Sequence, residues 1–146
     1  MNARAERGGP VLVDTNVFGA DLLRPTAALA RGYQPFLAGR AVFVSFATVA
    51  ELRYGARRAG WGEQRLRRLD ARIGSAQTVW PGPELVSAYV ELRHECASIG
   101  HGLSHHDHEA DRWIAASAVM LRVALVSHDR IFRDVPGLTL LTIHTD

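Results

Sequence analysis

Val11-Leu12-Val13-Asp14-Thr15-Asn16 is the stretch on which the reading turns: three apolar residues in a row, then an acid. So short an apolar run, closed by polar residues, reads as a strand buried on both faces. Outward from it, Asn16 to Leu23 reads as a short helix, and Pro25 opens a second that runs to about Leu37, where Gly39 closes it. Ala41-Val42-Phe43-Val44 is the next strand, and Ser45 stands where it caps a helix spanning roughly Phe46 to Arg58. After a break at Gly60 to Gly62, Glu63 to Ile73 is amphipathic, with arginines arranged around Leu66, Leu69 and Ile73. Gln77-Thr78-Val79-Trp80 is a short strand, and Pro83 begins a long helix to about Ile99. A loop from Gly100 to Asp107 leads into a helix from about His108 to Leu121. Ala124-Leu125-Val126 is a strand, Val135-Pro136-Gly137-Leu138 a type II turn, and Thr139 to Ile143 the last strand. Strands alternating with helices predict an α/β fold, its mostly parallel sheet covered by helices on both faces.

The chain's 146 residues suit one domain, expected over residues 11–146, with residues 1–10 a disordered N-terminal tail. Hydrophobic residues at 47% and charged residues at 22% are ordinary for a globular chain and argue against disorder. No apolar run approaches the roughly 18 residues of a membrane span, and the polar, glycine-rich start has no apolar core of a secretory signal. Cys96 is the single cysteine and pairs with nothing inside the chain, so a core position and a cytoplasmic location are expected. All 17 basic residues are arginine. The absence of lysine excludes a P-loop, a Schiff-base or pyridoxal enzyme and a Ser–Lys dyad. A net charge of +2 is a weak argument for nucleic acid on its own.

In open parallel sheets, ligands bind outside the carboxyl ends of the strands. Asp14 ends the first strand, and Asp129 stands just beyond Val126, after Ser127 and His128. At 3.6 residues per turn, Asp111 shares a face with Ile114, Ala115 and Ala118, small and apolar enough to pack on the sheet and carry the aspartate inward. Glu51, in Thr48-Val49-Ala50-Glu51-Leu52, shares its face with Thr48 and Ala47. Converging carboxylates repel by roughly 4 kcal/mol per pair at about 4 Å and an effective dielectric of 20, so protons or cations must neutralise them. Oxygen-only ligands favour a hard cation, Mg²⁺ or Mn²⁺. Such a centre polarises a phosphate and supplies hydroxide for in-line attack on a phosphodiester.

These residues, taken in order, resemble the PIN domain of VapC-type toxins. The strand with Asp14-Thr15-Asn16, Ala50-Glu51-Leu52, Ala110-Asp111-Arg112-Trp113-Ile114-Ala115-Ala116, Leu125-Val126-Ser127-His128-Asp129 followed by Phe132, and Val135-Pro136-Gly137-Leu138 carry the likeness over residues 11–143. The resemblance implies a three-layer α/β/α fold and an endoribonuclease dependent on Mg²⁺ or Mn²⁺. It makes Asp14, Glu51, Asp111 and Asp129 the metal-binding and catalytic acids. Asn16 and Ser127 become polar residues that orient carboxylates or water. It also implies a homodimer, with no organic cofactor, and a VapB-type antitoxin whose C-terminal segment lies over the active site.

The arginines at 53, 57, 58, 65, 67, 68 and 72 crowd one helical hairpin, as a solvated face or as a surface for phosphate or for acidic groups of an antitoxin. Arg53 and Arg57 are the candidates there, and Arg112, next to Asp111, is a third. Tyr54 and Trp113 offer base stacking, though aromatics on amphipathic helices are more often core. His101, His105, His106, His108 and His128, with Asp107 and Glu109, form the richest histidine region. Zinc binding is one reading, but the spacings match no structural zinc pattern with cysteine, and a solvated loop beside the acids that contacts RNA phosphates is the preferred one. A haloacid-dehalogenase-like phosphatase wants a second aspartate where Asn16 stands, and a receiver domain wants a late lysine. The remaining alternative is a non-catalytic module of the same fold that binds RNA or protein and uses metal only for stability.

Overall fold

Strand β1 (Val11–Val13) is buried throughout, with Val11 and Val13 in one apolar cluster and Leu12 in another. Successive side chains of a strand leave on opposite faces, so β1 lies in the middle layer. Strand β4 (Ala124–Val126) repeats the pattern: Ala124 and Val126 join Val11 and Val13, and Leu125 joins Leu12. With β2 (Val42–Ser45), β3 (Gln77–Val79) and β5 (Leu140–Leu141) they make a five-stranded sheet, ordered β3-β2-β1-β4-β5 and parallel at every pairing. The structure is a computed structural model and describes residues 8–22 and 27–145.

Among the described residues, six α-helices cover the sheet: α1 (Thr15–Phe18), α2 (Ala27–Leu37), α3 (Phe46–Arg58), α4 (Glu63–Gly74), α5 (Pro83–Ser98) and α6 (Glu109–Leu121). Helices α1 to α4 send Val17, Phe18, Tyr33, Val49, Ala56, Leu69 and Ile73 to one cluster. Helices α5 and α6 send Leu85, Tyr89, Leu92, Cys96, Ile114, Ala115 and Ala118 to the other. The result is the three-layer α/β/α arrangement, and the sheet is wholly rather than mostly parallel.

Boundaries differ from expectation where side chains compete with the ladder. Ser45 is at once the last residue of β2 and the cap of α3, its Oγ accepting from Ala47 N at 3.1 Å. The helix expected over Asn16–Leu23 stops at Phe18 and resumes as a 3₁₀ turn, Ala20–Leu22, and Gly19 at the join lets the chain pass close to Leu52. A Cβ there would lie 2.9 Å from Leu52 Cδ2. Strand β5 is two residues rather than five, since Thr142 Oγ1 turns to Tyr33 and to the backbone of His144. The expected loop over Gly100–Asp107 contains the 3₁₀ turns Gly102–Ser104 and His106–His108, the second running into α6. The type II turn is present: Leu138 N bonds Val135 O at 3.1 Å, and Gly137 takes φ +76°. The helix opening at Pro25, and the tail as far as residue 7, lie outside the described residues.

Strands β1 to β3 progress to one edge of the sheet, and β4 then begins on the far side of β1. The crevice at the carboxyl ends of β1 and β4 is therefore the topological switch point, where such sheets bind ligands. Val13 pairs with Val126 in the ladder, so the residues that follow, Asp14 and Ser127, emerge side by side.

Candidate functional site

Asp14 is only 4% exposed. It caps α1, its Oδ1 accepting from Val17 N at 2.9 Å, and its Oδ2 accepts a hydrogen bond from the Ser127 hydroxyl. Burial pushes its pKa up from 3.8 to about 6; the bonds from Ser127 and Val17 pull the other way, and the charges of Asp129 and Asp111 add to the rise. Desolvation wins, and the site's deepest carboxylate is one that a cation would stabilise.

The other three acids surround it from separate elements. Asp111 rides the first turn of α6, on the face that buries Ile114, Ala115 and Ala118, and its Oδ2 lies 2.9 Å from His108 Nδ1. Glu51 projects from α3, where Thr15 Oγ1 donates to its Oε1 at 3.0 Å. Although much of this residue is exposed, desolvation of its carboxyl raises the pKa, Thr15 opposes the rise, and the charge of Asp111 adds to it. Asp129 caps the 3₁₀ turn Arg130–Phe132, accepting from Ile131 N at 3.0 Å. The electrostatic coupling of Asp14 to Asp111 and Asp129, and of Glu51 to Asp111, ties the four into one anionic cluster.

They are gathered but held apart. Among the described residues, no three of these carboxylates bring ligand oxygens within 4.8 Å of one another. Each has its own polar partner: Val17 N and Ser127 for Asp14, Thr15 for Glu51, His108 for Asp111 and Ile131 N for Asp129. The oxygen-only donor set fits Mg²⁺ or Mn²⁺, and Mg²⁺ keeps several of its waters when it binds through a few carboxylates. Wide-set acids around a buried Asp14 suit that habit.

Of the polar residues expected to orient the acids, Ser127 does so twice over: its Oγ donates to Asp14 and accepts from Asp129 N at 3.0 Å. Asn16 is exposed and has no hydrogen bond to any of the four. Its expected place is taken by Thr15, whose hydroxyl also lies 3.0 Å from that of buried Thr48. Sequence reading missed Thr15 as a positioning residue; its signal was adjacency to Asp14. It missed Tyr33 as well, and there no signal existed, since the partners are about a hundred residues away. The Tyr33 hydroxyl donates to Ser127 O at 3.1 Å and lies 2.8 Å from His128 Nδ1, which pins the segment carrying Ser127 and Asp129. Burial lowers the pKa of His128, its electrostatic interactions with His144 and Arg130 lower it further, and Asp129 opposes them.

The arginines divide. Arg53 is exposed and 3.8 Å from Asp70, and with Arg57, Tyr54 and Trp61 it lines a surface cavity between α3 and α4. Tyr54 is 68% exposed, whereas Trp113 is packed inward, stacked on Tyr89 with ring centroids 4.0 Å apart. Arg112 corrects the expectation made for it. It is fully buried, and its guanidinium donates to Leu103 O, His105 O, Tyr89 Oη and Glu109. Two of these bonds hold the loop before α6 and two tie it to α5 and α6, so Arg112 anchors the interior rather than a surface. The face containing Asp111 turns toward the site, and the neighbouring position therefore turns into the core.

A cleft of about 620 Å³ opens beside the acids, walled by Leu22, Leu29, Leu52 and Trp61 and ending at Asp129 and Arg130. No helix among the described residues is long and apolar enough to cross a membrane. A family profile described as PIN domain matches residues 11–138. No protein of curated function matches the sequence. Among solved structures, the chain is similar to one in VapBC2 from Rickettsia felis, bound to a DNA fragment from their promoter. Identity is 21% and the TM-score 0.74, over 90% of this chain and 97% of that one. DNA-bound VapBC from Salmonella typhimurium gives 20% identity and a TM-score of 0.75, over 91% and 97%. VapBC-5 from Mycobacterium tuberculosis, a member of the VapBC family of toxin–antitoxin systems, gives 25% and 0.61, over 94% and 99%.

Proposed function

The chain belongs to the PIN-domain family, whose members are generally nucleases that use divalent metal, and from that premise we propose that it is a metal-dependent endoribonuclease toxin of the VapC type. The observation that carries the reading is Asp14: a nearly buried carboxylate at the switch point, its pKa lifted to about 6, with two further acids acting on it through space. A fold keeps so unfavourable a group where a cation is to be held.

Asp14, Glu51, Asp111 and Asp129 would hold Mg²⁺ or Mn²⁺, which when bound supplies charge neutralisation on a phosphodiester and a water acidified toward hydroxide. Ser127 and Thr15 fix the carboxylates of Asp14 and Glu51, so that little reorganisation is needed when RNA arrives. Tyr33 holds the Ser127–Asp129 segment rigid from behind. Exposed Arg57 and Arg130 are the cations available for backbone phosphates, which set register rather than sequence.

The proposed partners are RNA as substrate, a second copy of the chain in a homodimer, and a VapB-type antitoxin. The cleft supports the last of these. Its apolar wall suits an amphipathic segment, and its polar end, with Thr15, Asp129 and Arg130, sets an occupant against one edge of the acid cluster. A cytoplasmic location belongs to the same reading. Incubation of the purified protein with total RNA and with individual tRNAs, in Mg²⁺, Mn²⁺ or EDTA, is the test. Discrete products that require metal and vanish in Asp14→Asn are expected. Cleavage that persists in both EDTA and the variant would overturn the proposal, and metal-dependent stabilisation without turnover on any RNA would favour the non-catalytic binding module.

A further inference from the structure

The histidines before α6 fall into two kinds. His101 is committed to structure: its Nε2 bonds Arg133 O at 2.6 Å and its Nδ1 accepts from Leu103 N. His108 is committed to Asp111. His105 is held less firmly, its Nδ1 facing Asp107 N at 3.5 Å as the cap of the second 3₁₀ turn and its side chain 58% exposed; His106 is 80% exposed and its ring lies 4.3 Å from that of His105 between centroids. Asp107 completes the group, with Oδ2 3.3 Å from His105 Nδ1 and Oδ1 2.9 Å from His106 Nε2. Among the described residues these are the only three candidate ligands whose donor atoms all lie within 4.8 Å of one another.

We propose that His105, His106 and Asp107 form a second cation site, chemically distinct from the four acids, for a borderline transition metal such as zinc. Two imidazole nitrogens and one carboxylate select Zn²⁺, Ni²⁺ or Co²⁺ over Mg²⁺. Ligands about 2.0–2.1 Å from a tetrahedral zinc stand roughly 3.3 Å from each other. The two imidazoles face different oxygens of Asp107 at 3.3 and 2.9 Å and all three donors fall within 4.8 Å, so rotation of exposed side chains suffices to bring them to one ion. Three protein donors leave the remaining position for water. The backbone beneath is fixed: the buried guanidinium of Arg112 holds the carbonyls of Leu103 and His105, so the donors sit on an anchored turn rather than a free loop. That anchoring lowers the ordering cost of binding.

The test uses untagged full-length protein in excess Mg²⁺, titrated with Zn²⁺ by calorimetry and with Co²⁺ by visible absorption. One ion per chain is expected, with a Co²⁺ spectrum of four-coordinate nitrogen–oxygen ligation. Binding should be unchanged in Asp14→Asn and weakened roughly tenfold or more in His105→Ala, in His106→Ala and in Asp107→Asn. All three side chains are exposed, so these variants should melt with the parent. Absence of binding to the parent, its loss in Asp14→Asn, or wild-type affinity in the His105→Ala/His106→Ala double variant would each overturn the proposal.

Discussion

Replacing Asp14 by asparagine should make the metal-free protein more stable. The carboxyl is isosteric with the amide: Asn Oδ1 still accepts from Val17 N, and Nδ2 donates to Ser127 Oγ, which keeps one lone pair beside the bond from Asp129 N. What disappears is the charge. The folded-state pKa of about 6 stands above the ordinary 3.8, so ionised Asp14 opposes folding. That penalty is full above about pH 6 and fades as the pH falls toward 4, where both folded and unfolded chains carry the proton. A displacement of about 2 pH units at 1.36 kcal/mol each is about 3 kcal/mol. The Ser127 hydroxyl loses its charged acceptor, which returns about 1 kcal/mol. A net gain of about 2 kcal/mol corresponds to roughly 4–8 °C in melting temperature for a chain of this size. Thermal unfolding in EDTA at pH 8 should show that gap, and at pH 4.5 it should nearly close. Adding Mg²⁺ at pH 8 should stabilise the parent and not the variant. An Asp14→Asn protein that melts at or below the parent at pH 8 in EDTA, or a gap that ignores pH, refutes the reasoning.

Arg112→Met removes a buried cation and strands the carbonyls of Leu103 and His105, so it should cost about 3–5 kcal/mol in chemical denaturation. Arg112→Lys should rescue little of this, because an ammonium cannot span the four partners. Ser127→Ala takes the donor from Asp14 and the acceptor from Asp129 N; single-turnover cleavage should fall by roughly 10–100-fold, with Ser127→Thr restoring it. Tyr33→Phe leaves Ser127 O without its hydroxyl donor and should destabilise by about 1–2 kcal/mol, measured by urea unfolding.

The layer arrangement was legible because strands buried on both faces advertise themselves as short apolar runs, and β1 and β4 contain nothing else. The approach of Asp14 to Asp129 followed from the rule about carboxyl ends, and the inward placement of Asp111 from helical periodicity. What failed was the direction of single side chains. Arg112 was read as a surface cation because its neighbour Asp111 faces the site, yet a rotation of about 100° per residue turns adjacent positions to different surroundings. Asn16 was expected to do what Thr15 does, an ambiguity of one position at the start of α1. Tyr33 lay beyond reach, since its role depends on β4 and β5 returning beside α2, a matter of topology rather than local pattern. The His105–Asp107 group was visible as composition, but only the fold shows that His101 and His108 turn to other partners while His105 and His106 stay exposed beside Asp107.

Single-turnover cleavage of one mapped RNA by the four variants Asp14→Asn, Glu51→Gln, Asp111→Asn and Asp129→Asn, each at saturating Mg²⁺, tests the central claim most directly. If the acids form one metal centre, every variant loses most of its rate, and pairs of substitutions cost far less than the sum of their single effects. A variant that cleaves at the parental rate, or losses that simply add, would contradict it.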